Sequence, residues 1–198
     1  MQQITRADLE LDLAAYAARR AEARAAVIAL KKDRRVPLGD IVTLLFENRV
    51  TLRHQVQEMV FAEHMSDLEK IEEELATYNP LLPTPYELSA TLFIEIPDLA
   101  TLKQELPRLV GIEHTLSLRV GDDVVKGVGE GGRSREDYTS SVHYVRFPMD
   151  EAQRDGFRDP AVPAEVSVEH PNYSDSAPLT GAVRHSLIAD LAFDQISG

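Results

Sequence analysis

The apolar residues of this chain change their spacing at Tyr86, and this change most narrows the folds open to it. Before Tyr86 they recur at helical intervals. From Leu88 to Ile96 they alternate with polar residues, as on a strand with two different faces, and the alternation returns over 112–120. Helices followed by consecutive strands are typical of an α+β fold with an antiparallel sheet, because parallel strands need a long crossover between them.

The N-terminal part, residues 1–80, is predicted to be mainly helical. An alanine-rich helix is expected over about 6–32, a second after the N-cap residue Asn48, and a third after Ser66. Residues 41–46 are rich in β-formers and predict a short buried strand, with a helix as the alternative.

The sheet part, residues 86–173, is predicted to hold about five mostly antiparallel strands, and a helix over 178–193 closes the chain. The strands are predicted at 86–96, 112–120, 124–125, 138–147 and 164–170. With 198 residues and no evident linker, we expect one domain over 1–198.

Composition excludes several classes of function. The chain has no cysteine, which excludes disulfides, thiolate zinc sites and an iron–sulfur cluster held by its own residues. A net charge of −12 argues against nucleic-acid binding. The absence of a long apolar run predicts no membrane association and a cytoplasmic location. The basic run over 19–35 predicts either a solvated helix face or a docking surface for an acidic partner or a phosphate.

The glycine-rich segment 127–132 formally matches the dinucleotide-binding pattern G-x-G-x-x-G. That pattern works only where a helix follows it, because the helix N-terminus meets the pyrophosphate. Here a strand is predicted to follow, which favours a flexible loop.

Polar side chains in and after the segment 44–59 are the candidates for chemistry. His54 and Glu58 are four residues apart on one predicted helix face, a spacing that suits a shared metal or a general-base pair, or alternatively a surface ion pair or a core histidine. His170 and Tyr173 lie where a predicted strand ends. They are either part of a functional site in a cleft or residues of a simple turn. His114 is predicted to be a packed core histidine.

An enzyme built from these groups would combine two sets of residues. The catalytic candidates are Glu47, Arg49, Glu58 and Tyr173. The candidate ligands of a His/carboxylate-bound metal are His54, Glu58, Glu87 and His170.

Seven segments resemble a bacterial domain-of-unknown-function family over nearly the whole chain. They are IALKK (28–32), TLLFENR (43–49), QEM (57–59), ELATYN (74–79), ELSATL (87–92), YVRF (144–147) and HPNY (170–173). Members of that family are often encoded beside a rubrerythrin-like protein and a cysteine-rich iron–sulfur oxidoreductase. The resemblance therefore implies a redox or peroxide-stress context and such a protein as partner, but it assigns no catalytic residue.

Three hypotheses about function follow. The first is a cytoplasmic accessory or interaction protein of a redox system; the second is a metal-dependent or acid/base enzyme using the residues named above. The third is a small-molecule binding module with a pocket between sheet and helices. The ligand and the oligomeric state are left open by the sequence.

Overall fold

The computed structural model describes residues 3–132, 134–135 and 137–191. Within these residues the α-helices are α1 (Leu13–Lys32), α2 (Arg49–Ala62), α3 (Leu68–Tyr78), α4 (Leu99–Glu105), α5 (Glu151–Arg158) and α6 (Gly181–Asp190). The strands are β1 (Arg35–Leu38), β2 (Val42–Phe46), β3 (Glu87–Ile94), β4 (Leu116–Val120), β5 (Asp123–Lys126), β6 (Val128–Gly129), β7 (Val142–Pro148), β8 (Ala164–His170) and β9 (Tyr173–Pro178).

All strand pairs are antiparallel, so the predicted α+β class with an antiparallel sheet is confirmed. The strands form two sheets. One has the order β1-β2-β3-β7-β6 and the other the order β5-β4-β8-β9. Strand β9 has no counterpart in the sequence prediction, because its residues are mostly exposed and polar and show no apolar alternation.

Two hydrophobic cores lie on opposite faces of the five-stranded sheet. The larger core lies between the two sheets, where Leu44 and Leu92 of one sheet share a cluster with Leu118 and Val166 of the other. The smaller core joins α2, α3 and the N-terminal segment, with Tyr144 of β7 packed against it. The five-stranded sheet is therefore covered on both faces, and its helix-facing side is where polar strand residues become buried.

The helix starts follow their capping residues. The Asn48 side chain accepts hydrogen bonds from the backbone N–H groups of Val50 and Thr51, at 3.0 Å each, which confirms Asn48 as the N-cap of α2. Helix α1 begins at Leu13 instead of residue 6, because Asp12 accepts from the amides of Ala14 and Ala15.

The end of the chain differs from the prediction in its detail. Strand β9 occupies residues up to Pro178, and α6 begins only at Gly181. The predicted end of the closing helix at residue 193 lies outside the described residues. The single-domain organisation over 1–198 stays a prediction.

The two sheets are joined at one edge by Tyr173 of β9. Its hydroxyl donates to the backbone oxygen of Leu38 at 2.5 Å and accepts from the backbone N–H of Ile41 at 3.3 Å. Gly39 turns the chain between β1 and β2 with a φ of +68°, and a Cβ atom there would overlap the Tyr173 hydroxyl and the Asp175 carboxylate. Glycine is thus required at this turn for both its backbone conformation and its lack of a side chain.

Replacing Gly39 with alanine should lower the free energy of unfolding by on the order of 1–3 kcal/mol, because the new methyl group adds a clash to a strained φ. Urea denaturation measures the loss. Gly131→Ala is the matched control, since no described residue beyond its chain neighbours lies within 4 Å of a Cβ at Gly131 and its φ is not positive. Equal stability of the two variants would contradict this role of the turn.

Candidate functional site

The helix-facing side of the five-stranded sheet carries a row of aligned side chains. In the strand register Leu45 of β2 lies opposite Thr91 of β3, which lies opposite Tyr144 of β7. The neighbouring row pairs Phe93 of β3 with Val142 of β7. The sheet therefore presents an apolar platform that contains hydroxyl groups.

Glu47 comes directly after β2, at the junction with α2. Its backbone N–H donates to the backbone oxygen of Ser89 at 2.7 Å, which extends the β2–β3 pairing by one residue. Its carboxyl group accepts hydrogen bonds from the Thr91 hydroxyl at 2.6 Å and from the Thr51 hydroxyl. Only 7% of the Glu47 surface is exposed, and the carboxyl group has no ion-pair partner among the described residues.

A cavity of about 180 Å³ lies between this platform and the helices, and Glu47 lines it. We call it the Glu47 cavity. The other polar residues around it are Lys31, Gln55, Tyr78, Thr91 and Tyr144. The apolar residues around it are Leu45, Leu52, Phe93 and Val142. Five of the seven segments that carry the family resemblance contribute to this lining.

Arg34 fixes the backbone on which Glu47 is placed. Its guanidinium group donates to the backbone oxygen of Phe46 at 2.8 Å and to that of Glu47 at 3.1 Å. The same group pairs with Asp190 and donates to the Ser186 hydroxyl at 2.9 Å. Burial raises the pKa of Asp190, and the charge of Arg34 opposes that shift.

Removing the acid of this buried pair should be costly. Asp190→Asn is expected to reduce the free energy of unfolding by about 3–5 kcal/mol, because Arg34 keeps a buried charge without a counterion. The control is Glu95→Gln, which breaks the exposed Arg35–Glu95 pair and should cost about 1 kcal/mol or less. Chemical denaturation distinguishes the two, and a similar cost for both would contradict the importance of the buried pair.

Arg49 and Glu58, both predicted to act in catalysis, are engaged in ion pairs outside the Glu47 cavity. Arg49 contacts Asp8 at 2.7 Å, and this hydrogen bond is the main cause that lowers the pKa of Asp8 to about 2. Glu58 accepts from Arg20 Nη2 at 2.7 Å and from the Tyr16 hydroxyl at 2.7 Å. These contacts, led by that of Arg20, lower the pKa of Glu58 to about 2.

The predicted metal ligands are distributed over the fold. His54 and Glu58 do share one side of α2, and burial lowers the pKa of His54. Glu87 lies half-buried on β3, where burial raises its pKa. Both ring nitrogens of His170 have hydrogen-bond partners: Nδ1 accepts from the Asn172 backbone N–H at 3.2 Å, and Nε2 lies 3.1 Å from the Val110 backbone oxygen.

No group of three or more His, Asp or Glu side chains in the described part of the chain is placed to hold a metal ion. Of the predicted site residues only Glu47 lines the Glu47 cavity, and Tyr173 makes the turn contacts described above. The catalytic and metal roles assigned from sequence stay predictions.

The core histidine is His143, and the assignment to His114 is wrong. The His114 side chain is 60% exposed on a 3₁₀ turn, whereas His143 is fully buried. Sequence reasoning missed His143 although it shares the apolar face of β7 with Val145 and Phe147. Its Nε2 atom lies 3.0 Å from the Thr139 hydroxyl.

The glycine-rich segment packs tightly against Glu113 and is partly a strand. Gly129 belongs to β6, which pairs with β7, and a Cβ on Gly129 would lie 2.8 Å from the Glu113 side chain. Glu113 is buried and accepts from the Ser134 hydroxyl at 2.6 Å. The glycine therefore allows a close approach of two chain segments, which is unlike the role of a dinucleotide motif.

Lowering the pH should remove the stabilisation that Glu58 supplies. Because the pKa of Glu58 falls from 4.5 to about 2 on folding, its contribution is present above pH 4.5 and is lost as the pH falls through 2. Glu58→Gln should therefore be less stable than the native chain at pH 7 and should converge with it near pH 2.

The measurement is thermal unfolding as a function of pH. Glu63→Gln, at the exposed C-terminal end of α2, is the control and should run parallel to the native chain. A gap between Glu58→Gln and the native chain that does not narrow in acid would contradict the ion-pair explanation.

The fold and site so described define a class of α+β protein with two antiparallel sheets and a cavity under a helical layer. The chain belongs to the protein family DUF3501, described as a protein of unknown function, whose model matches residues 3–191. The predicted membership of a domain-of-unknown-function family is thereby confirmed, and the family carries no established activity.

A solved structure of the same kind supports this fold. It is described as the crystal structure of a novel protein of unknown function from Burkholderia pseudomallei K96243. The two chains are 36% identical, with a TM-score of 0.88 over 96% of this chain and 100% of that one. No curated protein matches the chain. Within the described residues, no helix has the length and apolar character needed to cross a bilayer.

Proposed function

We propose that the protein is a small-molecule binding module and that its site is the Glu47 cavity. The observation that carries the proposal is the buried Glu47 carboxyl group, which lines the cavity and lacks an ion-pair partner among the described residues. Binding sites commonly combine apolar walls with a few fixed polar groups, and this cavity has both.

The chemistry of the lining selects the class of ligand. A carboxylate accepts hydrogen bonds and attracts a positive charge, so Glu47 favours a ligand with a protonated amine, although Lys31 also lines the cavity and opposes a second positive charge. Leu45, Leu52 and Phe93 surround it with apolar surface for a short aliphatic or aromatic body. A volume of about 180 Å³ restricts the ligand to a small molecule.

The site is held in place before any ligand binds. Two threonine hydroxyls orient the Glu47 carboxyl group, and Arg34 holds the Glu47 backbone oxygen. Such preorganisation increases affinity because less conformational freedom is lost on binding.

Benzylamine and benzyl alcohol form a matched pair of probes, since they have the same size and differ in charge. We expect saturable binding of benzylamine below about 10 mM by calorimetry, and binding at least about tenfold weaker for benzyl alcohol. Glu47→Gln should reduce benzylamine affinity by about tenfold, because it removes the charge and keeps the shape.

Glu87→Gln is the control, because Glu87 belongs to the same strand but is not among the residues that line the cavity. Circular dichroism checks that each variant is folded. Equal binding of the amine and the alcohol, or unchanged affinity in Glu47→Gln, would contradict the proposal.

The partner implied by the family resemblance remains part of the proposal. A rubrerythrin-like or iron–sulfur protein in the cytoplasm would be the partner to which the binding module responds. Co-purification of the chain with each candidate, with and without benzylamine, tests this. If the chain associates with neither candidate at micromolar concentration, the proposed partner is wrong. The proposed ligand site is tested separately, by the benzylamine experiment.

A further inference from the structure

A second cavity lies at the N-terminus of α6, which is distant in sequence from Glu47. Thr180 precedes the helix, and its side chain makes no capping hydrogen bond. The first hydrogen bond of the helix joins the Arg184 amide to the Thr180 oxygen at 3.2 Å, so the amides of Gly181, Ala182 and Val183 come before it. Amides at a helix N-terminus attract anions.

Arg184 supplies a positive charge to the same place. Arg184 as a whole residue is 4% exposed, and its guanidinium carbon lies over the Phe157 ring at 3.8 Å from the centroid. Nε donates to the Phe157 backbone oxygen at 2.8 Å, and Nη2 lies 3.3 Å from the Val162 backbone oxygen. The guanidinium group is therefore a buried cation that donates to carbonyl oxygens. One of its nitrogens, Nη1, has no hydrogen-bond acceptor among the described residues.

The lining of the cavity combines these positive groups with apolar walls. The cavity has a volume of about 180 Å³, and Arg184, His185, Thr180 and Gly181 line it together with apolar residues. The apolar residues are Pro160, Val162, Pro163, Ala164, Pro178 and Leu179. Among the residues that the structure describes, no Asp or Glu lines the cavity, although the whole chain carries a net charge of −12.

Gly181 leaves room for a ligand at the helix start. Apart from its chain neighbours and its own helix backbone, no described residue lies within 4 Å of the position that a Cβ would occupy there, so the backbone is approachable from that side. Its φ of +54° is a conformation that glycine adopts readily.

We propose that this cavity binds a small organic monocarboxylate. The carboxylate group lies at the Gly181 start of α6 beside Arg184, and the apolar body packs against the surrounding prolines and aliphatic side chains. The carboxylate pairs with a buried guanidinium group that otherwise has carbonyl acceptors and the charge of Asp159 near it, and this closer pairing supports affinity because a poorly compensated buried charge is costly. The site is separate from the Glu47 cavity and does not depend on it.

Thr180→Asp is the decisive variant, because an Asp N-cap accepts from the same amides and places a negative charge in the site. We expect the native chain to bind benzoate saturably by calorimetry and Thr180→Asp to bind it at least about tenfold more weakly. The variant should keep or raise the melting temperature, since the new cap stabilises α6. A loss of benzoate binding therefore cannot be attributed to unfolding.

Thr84→Asp is the matched control. Thr84 is exposed, and its hydroxyl accepts from the Tyr86 amide, a bond that Asp can also make. This variant changes the net charge equally and should bind benzoate like the native chain. Glu47→Gln should also bind benzoate normally, which separates this site from the amine site.

Inorganic phosphate tests the contribution of the apolar body. Stronger binding of benzoate than of phosphate at equal ionic strength supports the proposal. Phosphate binding without benzoate binding would overturn it, because the apolar walls would then contribute nothing. Absence of saturable benzoate binding up to about 10 mM, or equal affinity in Thr180→Asp, would also overturn it.

Discussion

The buried guanidinium group of Arg34 is the interaction on which the arrangement of the chain most depends. It follows the end of α1, binds backbone oxygens at the β2–α2 junction, and pairs with Asp190 at the end of α6. Segments from both ends of the chain thus meet at one cation. Removing a charge from water is costly, so the site is stable only when all of these acceptors are in place. Loss of either partner would therefore leave the other charge buried without its counterion.

The Glu47 cavity follows from a sheet that is covered on both faces. Between the sheets the side chains are apolar and closely packed, as expected for a core with Leu44, Leu92 and Leu118. On the other face the strands carry threonine, glutamate and tyrosine, which cannot pack without polar partners. Thr51 and Thr91 satisfy the Glu47 carboxyl group, and space remains beside it.

The sequence predicted those features that depend on local pattern. The alternation in β3, the Asn48 cap and the buried strand β2 all follow from neighbouring residues, and the structure contains each of them. Glu47 was predicted as a site residue because it is a polar group within an apolar segment, and its role stays a prediction. The cavity around it could not be predicted, because Lys31, Tyr78 and Tyr144 come from elements far apart in the chain.

Long-range burial explains the other differences. Arg34 belongs to a run of basic residues, and nothing local distinguishes it from the exposed Arg35. The alternating pattern placed His114 on a strand face, but the strand itself begins only at Leu116. The buried histidine is His143. In each case the partner that decides burial is distant in sequence.

The edges of the two sheets have a consequence for how this chain can assemble. The edge strand β1 has four residues, including Pro37, which offers no backbone N–H, and β6 has only two residues. In the other sheet β5 has four residues and includes Asp123 and Lys126, while β9 is polar, carries Asp175 and ends at Pro178. Short, charged or proline-bearing edges resist the addition of a foreign strand. Copies of this protein, or a partner, would therefore meet it through side chains on its helices and outer faces, and the sheets themselves would not be extended between molecules.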